Sequence, residues 1–298
     1  MRLHELLKDL ETASQNEFVE INNDQLEEIH SRLLEFVRDF AEFCSDHGIE
    51  WCLTAGNMLG AVRHNGFIPW DDDIDVTMTR ENYTKLARIF PETYKGKYYL
   101  VKPGDQGYIF HFPRIYVKDT LFRSILSSDE CPNGLYIDIF VDDNLSDNWG
   151  FRLMHGVLCT FLLGICSAVR VYQCRKTLMA NALGNKQLIK EIYKRMIPGR
   201  VLSIVPMEKW MKLADRCFSL CRNNKTENIV IPSGAKHFFG EIFNRKKFCN
   251  YKLSPFENLL LPIPEDPDYY LRLRYGNDYM NPPKEDSRER RRLIEYKL

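Results

Sequence analysis

Asp71-Asp72-Asp73-Ile74-Asp75-Val76-Thr77-Met78, entered through Phe67-Ile68-Pro69-Trp70, is the stretch on which the reading of this chain turns. A strand alternates its faces with period two. Asp71, Asp73 and Asp75 are therefore predicted to project to one side, and Asp72, Ile74 and Val76 to the other. Like charges this close repel, and partial burial makes them costly unless a cation neutralises them. All-oxygen ligation, with no His or Cys nearby, suits Mg²⁺ or Mn²⁺ better than zinc. A charge run more usually forms a solvated acidic turn, but Phe67, Ile68, Trp70, Ile74 and Val76 argue against full solvation here.

Working outward, Leu26, Ile29, Leu33, Phe36, Val37, Phe40, Phe43 and Cys44 recur at three and four residues. They predict an amphipathic helix over 24–47, capped by Asn23 or Asp24 and ended by Gly48. Residues 49–54 read as a short strand, Ala55-Gly56-Asn57 as a tight turn and 58–64 as one or two helical turns. Where a strand gives way to a helix, backbone N–H groups at Gly56 and Asn57 can hold phosphate. Arg63 can fork onto phosphate oxygens or pair with the aspartates. Thr79 caps a predicted helix over 80–90, and strands are expected at 98–102, 109–118 and 135–141. In the last of these, Asp138 stands alone within Tyr136-Ile137-Asp138-Ile139-Phe140. A buried lone carboxylate needs a partner. That partner is either the same cation site, with Asp138 as its distant ligand, or an arginine such as Arg114.

The 298 residues include 41 Lys plus Arg and 41 Asp plus Glu. No global basic field exists to recruit nucleic acid, and any anion must be held locally. Nine cysteines in a chain of this length do not form a disulfide framework pattern, and the N-terminus is too charged for a signal peptide, so a reducing cytosol is expected. The apolar run 156–169, between Arg152 and Arg170, is shorter than a bilayer span and reads as a buried helix or as a segment resting at a membrane surface. The organisation expected is an N-terminal helical extension (1–23), an α/β core (24–146), a helical insertion (147–225) with a break at Ile197-Pro198-Gly199, and a C-terminal lobe with Pro-rich turns (226–298).

A glycine turn, an Asp-apolar-Asp strand and a distant apolar-Asp-apolar strand together resemble the nucleotidyltransferase superfamily, to which DNA polymerase β belongs. The run Gly56-Asn57-Met58-Leu59-Gly60-Ala61-Val62-Arg63-His64, with Gly66-Phe67-Ile68-Pro69-Trp70-Asp71-Asp72-Asp73-Ile74-Asp75, is similar to the signature of LicD-type phosphotransferases, relatives of fukutin and fukutin-related protein. Ile137-Asp138-Ile139-Phe140 with Asp142 and Asp143, and segments between Phe256 and Pro283, fit the same family. The chain departs from it at Asn57, where the family commonly has Thr; the Asn57 amide and backbone can donate instead.

The resemblance implies an α/β (α+β) fold with a nucleotidyltransferase-type mixed sheet flanked by helices. It implies transfer of phosphocholine or a similar phospho-alcohol from a CDP-linked donor to a sugar hydroxyl of a glycan such as lipopolysaccharide, capsule or teichoic acid, or of its lipid-linked precursor. In this reading Asp73 and Asp75 bridge two Mg²⁺ (or Mn²⁺) ions, Asp71 adds a ligand, and Asp138 binds one ion and takes the acceptor proton. Gly56, Asn57 and Arg63 hold the donor phosphates. The protein is placed in the cytoplasm, with peripheral contact at the inner face of the membrane. The competing readings are a metal-dependent glycosyltransferase, since Asp-x-Asp also holds nucleotide sugars, and a non-catalytic nucleotide-binding scaffold of glycan assembly.

A quaternary ammonium would call for an aromatic cage, for which Trp51, Trp70, Tyr108 and Tyr136 are candidates. Cys217, Cys221, His237 and Cys249 lack the paired spacing of structural zinc sites, Cys52, Cys159 and Cys166 read as small core residues, and His64 and His111 as structural. Arg245-Lys246-Lys247 and the basic run 288–292 are local cationic patches that suit a solvated face or an anionic lipid surface.

Overall fold

The computed structural model describes residues 19, 21–123, 127, 130–182, 185–284 and 293–298. The expected N-terminal extension (1–23) falls almost wholly outside the described residues, and the basic run 288–292 does so entirely.

The first helix, α1 (Asn23–Asp46), is capped by Asn22 in a reciprocal box with Gln25, one residue before the expected cap. Its stripe, from Ile29 through Cys44, is buried against the sheet in the main core cluster. Then come β1 (Cys52–Leu53), α2 (Ala55–His64), β2 (Ile74–Thr79) and α3 (Arg80–Thr93), followed by β3 (Tyr98–Val101), β4 (Arg114–Val117), β5 (Leu121–Arg123) and β6 (Tyr136–Leu145). The tight turn expected at 55–57 is instead the first turn of α2, with Ala55 rather than Gly56 at positive φ (46°). Residues 109–113, expected as strand, form a loop rich in aromatic contacts before β4.

Four helices follow, α4 (Trp149–Gln173), α5 (Arg175–Asn181), α6 (Lys186–Leu202) and α7 (Met207–Phe218). Pro198 lies inside α6 rather than breaking it. The bond lost at the proline is outweighed because α6 packs along α4, with Leu188 and Ile192 clustering with Val171, and Leu202 joining the cluster of Cys159, Leu162 and Leu163. These contacts make α4 and α6 antiparallel. The chain closes with β7 (Asn228–Val230), α8 (His237–Gly240), β8 (Ile242–Asn244), α9 (Arg245–Phe248), β9 (Tyr251–Phe256), β10 (Leu259–Pro264), α10 (Pro267–Tyr275) and β11 (Glu295–Lys297).

The fold is a mixed α/β architecture. The main sheet runs β1-β2-β6-β4-β3, and β6 also pairs with β7, which pairs with β8. Only β2 and β6 are parallel. That pair sets Asp75 opposite Asp138, while the antiparallel β4–β6 pair sets Arg114 opposite the same Asp138. Charges more than sixty positions apart in sequence thus meet at one level of the sheet.

Candidate active site

The acidic segment is held from three directions. Thr54 N–H donates to Asp75 O (3.0 Å), and His30 on α1, stacked on Phe67, bonds Asp71 O through Nε2 (2.7 Å). On α2, Asn57 donates through Nδ2 to Asp73 O (3.0 Å), and its Oδ1 accepts from Asp75 N–H (2.5 Å). The Asn57 amide, expected to meet a phosphate, instead clamps the backbone on both sides of Ile74. An ideal Cβ at Gly56 would stand 2.5 Å from Asp71 Oδ2, so the carboxylate of Asp71 occupies the space a side chain would need, at the positive end of α2. Gly60 is required for a second close approach, since a Cβ there would lie 2.3 Å from Gly66 O.

Burial alternates from Asp71 to Val76 as a strand requires, although hydrogen-bonded strand begins only at Ile74. Asp71, Asp73 and Asp75 are half-buried, while Asp72, Ile74 and Val76 are buried. One oxygen each of Asp73, Asp75 and Asp138 lies within 4.8 Å of the others, and Asp71, Asp72 and Asp73 form a second such group. Desolvation pushes the Asp75 carboxyl well above the usual carboxylate range. Asp73, Asp138 and Asp71 add to the shift, and Arg274 opposes it. The donor set is oxygen only, which fits a hard divalent cation.

Asp138 lies beside both of the partners weighed for it. Its carboxylate approaches Asp73 and Asp75, and it is also gripped by Arg114 through two bonds, Nε to Oδ1 and Nη2 to Oδ2 (2.8 Å). The ion pair answers the argument from burial alone, so proximity and register carry its membership of the acid group. Arg114 is in turn enclosed by aromatic rings, its Cζ 3.5 Å from the Tyr136 centroid and 4.2 Å from that of Phe110. Of the cage candidates, Tyr136 therefore faces a cation of the protein itself, and Trp51 packs edge-on to Phe40 in the core. Tyr108 is buried and bonds Phe112 O (2.7 Å), and Trp70 packs half-buried against the main core.

Arg63 stands at the far end of α2. It donates to His64 Nε2 (3.0 Å) and to Tyr279 O (2.9 Å), tying the helix to the C-terminal segment rather than to the acids. Two residues reach the site from α10: Tyr270 lies in a segment that fits the family resemblance but was assigned no role, and Arg274 was not singled out. The Tyr270 hydroxyl accepts from Thr54 Oγ1 (3.0 Å) and Ala55 N–H (3.2 Å) at the start of α2. Arg274, bonded to Glu241 (2.5 Å), is the cation whose field reaches Asp75.

Residues 48–155 match the family model described as LicD/FKTN/FKRP, nucleotidyltransferase domain. The match contains every expected site residue. Over 57 residues the chain is 46% identical to the lipopolysaccharide cholinephosphotransferase LicD of Haemophilus influenzae, a match covering 19% of this chain and 22% of that protein. Over 60 residues it is 37% identical to an uncharacterized protein of Rickettsia prowazekii, covering 20% and 23%. A Rickettsia typhi protein, also uncharacterized, is 35% identical over 60 residues, covering 20% and 19%. Over residues 48–155 the chain is thus similar to the LicD-family nucleotidyltransferase domain. The matched stretch spans about a fifth of each curated relative.

Beyond the acid group, the sulfur and imidazole groups gather differently from the set weighed in sequence. His155, Cys159 and Cys217, all buried, bring one ligand atom each within 4.8 Å of the others; Cys221, His237 and Cys249 are not in this group. The two sulfurs are 3.3 Å apart and His155 Nε2–H donates to Cys217 O (2.7 Å), which ties α4 to α7.

Proposed function

We propose that this protein transfers a phospho-alcohol group, phosphocholine or a close analogue, from a CDP-linked donor to a sugar hydroxyl of a cell-surface glycan or its lipid-linked precursor. The observation that carries the proposal is the convergence of Asp73, just before β2, with Asp75 on β2 and Asp138 on the parallel β6, within the stretch that the LicD family model matches. The named activity of the Haemophilus relative supports the choice of transferred group. In the reaction the acceptor oxygen bonds the phosphorus of the phospho-alcohol, the bond from that phosphorus to the bridging oxygen breaks, and CMP leaves with that oxygen.

Asp71, Asp73, Asp75 and Asp138 would hold Mg²⁺ or Mn²⁺, two ions in all, whose charge offsets that of the diphosphate. Asn57 and Thr54 keep Asp73 and Asp75 aligned by holding their backbone. Arg114 orients Asp138, whose oxygens keep lone pairs beyond the two it uses, so the acceptor proton can pass to it. Arg274 is the cation placed to face a donor phosphate beside Asp75. The acceptor's lipid partner fits a cytoplasmic protein seated on an anionic bilayer. Trp149, Met154, Val157 and Phe161 on α4, with Ile197 and Val201 on α6 and Ile204 just after it, are all exposed. CMP release from CDP-choline with Mg²⁺ tests the chemistry. Asp73→Asn and Asp138→Asn, made separately, should each lower turnover by roughly 10² or more, and a variant that keeps wild-type turnover removes that residue from the mechanism.

A further inference from the structure

Arg170 lies three residues from the C-terminal end of α4 and is 8% exposed. Among the described residues its Nε and Nη2 are buried without any hydrogen-bond partner, and no carboxylate pairs with it. A buried guanidinium left in this state is among the costliest arrangements a core can hold, because neither its charge nor its N–H groups are compensated. Within the field of Arg170, Nδ1 of His111, in the loop before β4, is also buried with no hydrogen-bond partner among the described residues. Two groups on separate elements thus present unmet polar atoms in one neighbourhood. The neighbouring segment Gly107 to Ile109 lines a cavity of about 250 Å³ with Gln173, Cys174 and Thr177 and with the acids Glu130 and Glu208; Arg170 and His111 are not part of its lining.

We infer that Arg170 and His111 form a binding site for a phosphate group of a substrate, with the anion supplying the counter-charge the protein withholds. The inference rests on the proposed phosphoryl transfer for the class of ligand, though not for the existence of the site. Electrostatics agree. Burial pulls Arg170 below its ordinary value, and the groups acting on it are Cys166, Cys174 and Tyr108, none of them an acid. His111 is held well below its usual value by burial and then by Arg170 and His237, so it is neutral at pH 7 and Arg170 is the fixed charge of the pair. Tyr108 feels Arg114 and Asp138 as well as acting on Arg170. A guanidinium offers phosphate a planar fork of N–H donors, and an imidazole adds a further polar contact. Through Arg170 the helical layer would then contribute directly to substrate binding.

Thermal melting of the full chain in EDTA, with inorganic pyrophosphate as the probe, separates this site from the cation-dependent acid group. Pyrophosphate should raise the wild-type melting temperature by several degrees in a saturable way. Arg170→Met should melt at or above wild type without the probe, since it removes an uncompensated buried charge, and should lose the shift. Asp73→Asn should keep the shift whether or not it retains turnover. The inference is overturned if wild type shows no shift, if Arg170→Met keeps it, if Arg170→Met folds but melts several degrees lower, as a structural arginine would, or if Asp73→Asn abolishes it. Should Arg170→Met fail to fold, Arg170→Lys decides: a pyrophosphate affinity about tenfold weaker supports the site, because an ammonium lacks the fork, and an unchanged affinity overturns it.

Discussion

Arg114 and Arg170 are both buried arginines within the field of Tyr108, yet their surroundings have nothing in common. Arg114, on the sheet, is bonded twice to Asp138 and enclosed by Phe110, Phe112, Tyr116 and Tyr136. Arg170, in the helical layer, meets neither a carboxylate nor an acceptor among the described residues. The contrast extends to the regions around them. On the sheet, Arg80 grips Asp143 with two nitrogens and reaches Asp215 with a third (2.8, 2.7 and 2.9 Å). Between Trp149 and Pro206 the chain has nine Lys and Arg (152, 170, 175, 176, 186, 190, 194, 195 and 200) against one acid, Glu191. A formal charge of zero therefore hides a molecule divided into an acidic sheet end and a cationic helical layer. Arg80 and Arg114 are thus paired with acids of the sheet, whereas Arg170 in the helical layer has no such acid among the described residues.

The largest expected effect breaks the sheet side of the contrast. Arg114→Met leaves Asp138 buried beside Asp73 and Asp75 without its counter-ion, and should cost about 3–5 kcal/mol in denaturant unfolding. Arg114→Met with Asp138→Leu should recover most of that loss while remaining inactive. A double variant as unstable as the single would show that the aromatic enclosure, and not the charge pair, holds this corner.

Asp142 is the exception on the sheet. It is buried and accepts from Thr77 Oγ1, while its other oxygen has no partner among the described residues, and burial raises its pKa to about 7. A raised folded-state value means the folded protein holds this proton more tightly than the unfolded chain. The associated stability is fully present below the unfolded value near 3.8 and is lost as pH rises through about 7. Stability should then fall across that window by up to about 1.4 kcal/mol per pH unit from this group. Asp142→Asn should flatten the profile, so that its stability relative to wild type climbs with pH. Parallel profiles would mean that Asp142 titrates alike in both states.

The parts of this fold that were legible in sequence are those governed by short-range periodicity. The stripe of α1 appears as expected because every third or fourth residue is apolar and the sheet offers one face to cover. The alternation from Asp71 to Val76 holds for the same reason, even where the ladder has not begun. What stayed hidden depends on cross-strand register and chain path. Asp75, Asp138 and Arg114 share one level only because β6 lies between β2 and β4, so the two partners proposed for Asp138 were never exclusive. Asn57 was legible as a polar residue at a helix start, but the atoms it bonds are set by the return path of the loop before β2. Tyr270 and Arg274 come from about two hundred residues downstream, beyond the reach of any local pattern. Arg170 was visible only as a cation flanking an apolar run, because its burial is created by loop packing and not by its neighbours in sequence.

The smallest effect on stability tests the helical side. Trp149–Gln173 is long and apolar enough to cross a membrane by length and composition, but 61% of its most apolar window is buried inside the protein. What remains outside is a stripe rather than a cylinder, with Trp149 74%, Phe161 64% and, in the turn after α6, Ile204 83% exposed. Exposed cations at Lys186, Lys190 and Arg200 accompany it. A surface combining apolar side chains with unbalanced positive charge suits the interface of an anionic bilayer, where each Lys or Arg contributes about 1 kcal/mol. Reversing Lys186 and Lys190 to Glu should change folding stability by no more than about 0.5 kcal/mol, as exposed positions do, yet lower partitioning onto phosphatidylglycerol vesicles at low salt at least tenfold in a pelleting assay. Val157→Ser with Phe161→Ser should weaken the binding that survives at high salt, where screening has removed the charge contribution. Binding indifferent to both pairs, or a stable dimer that covers the stripe in solution, would leave the charge of the helical layer without a membrane to explain it.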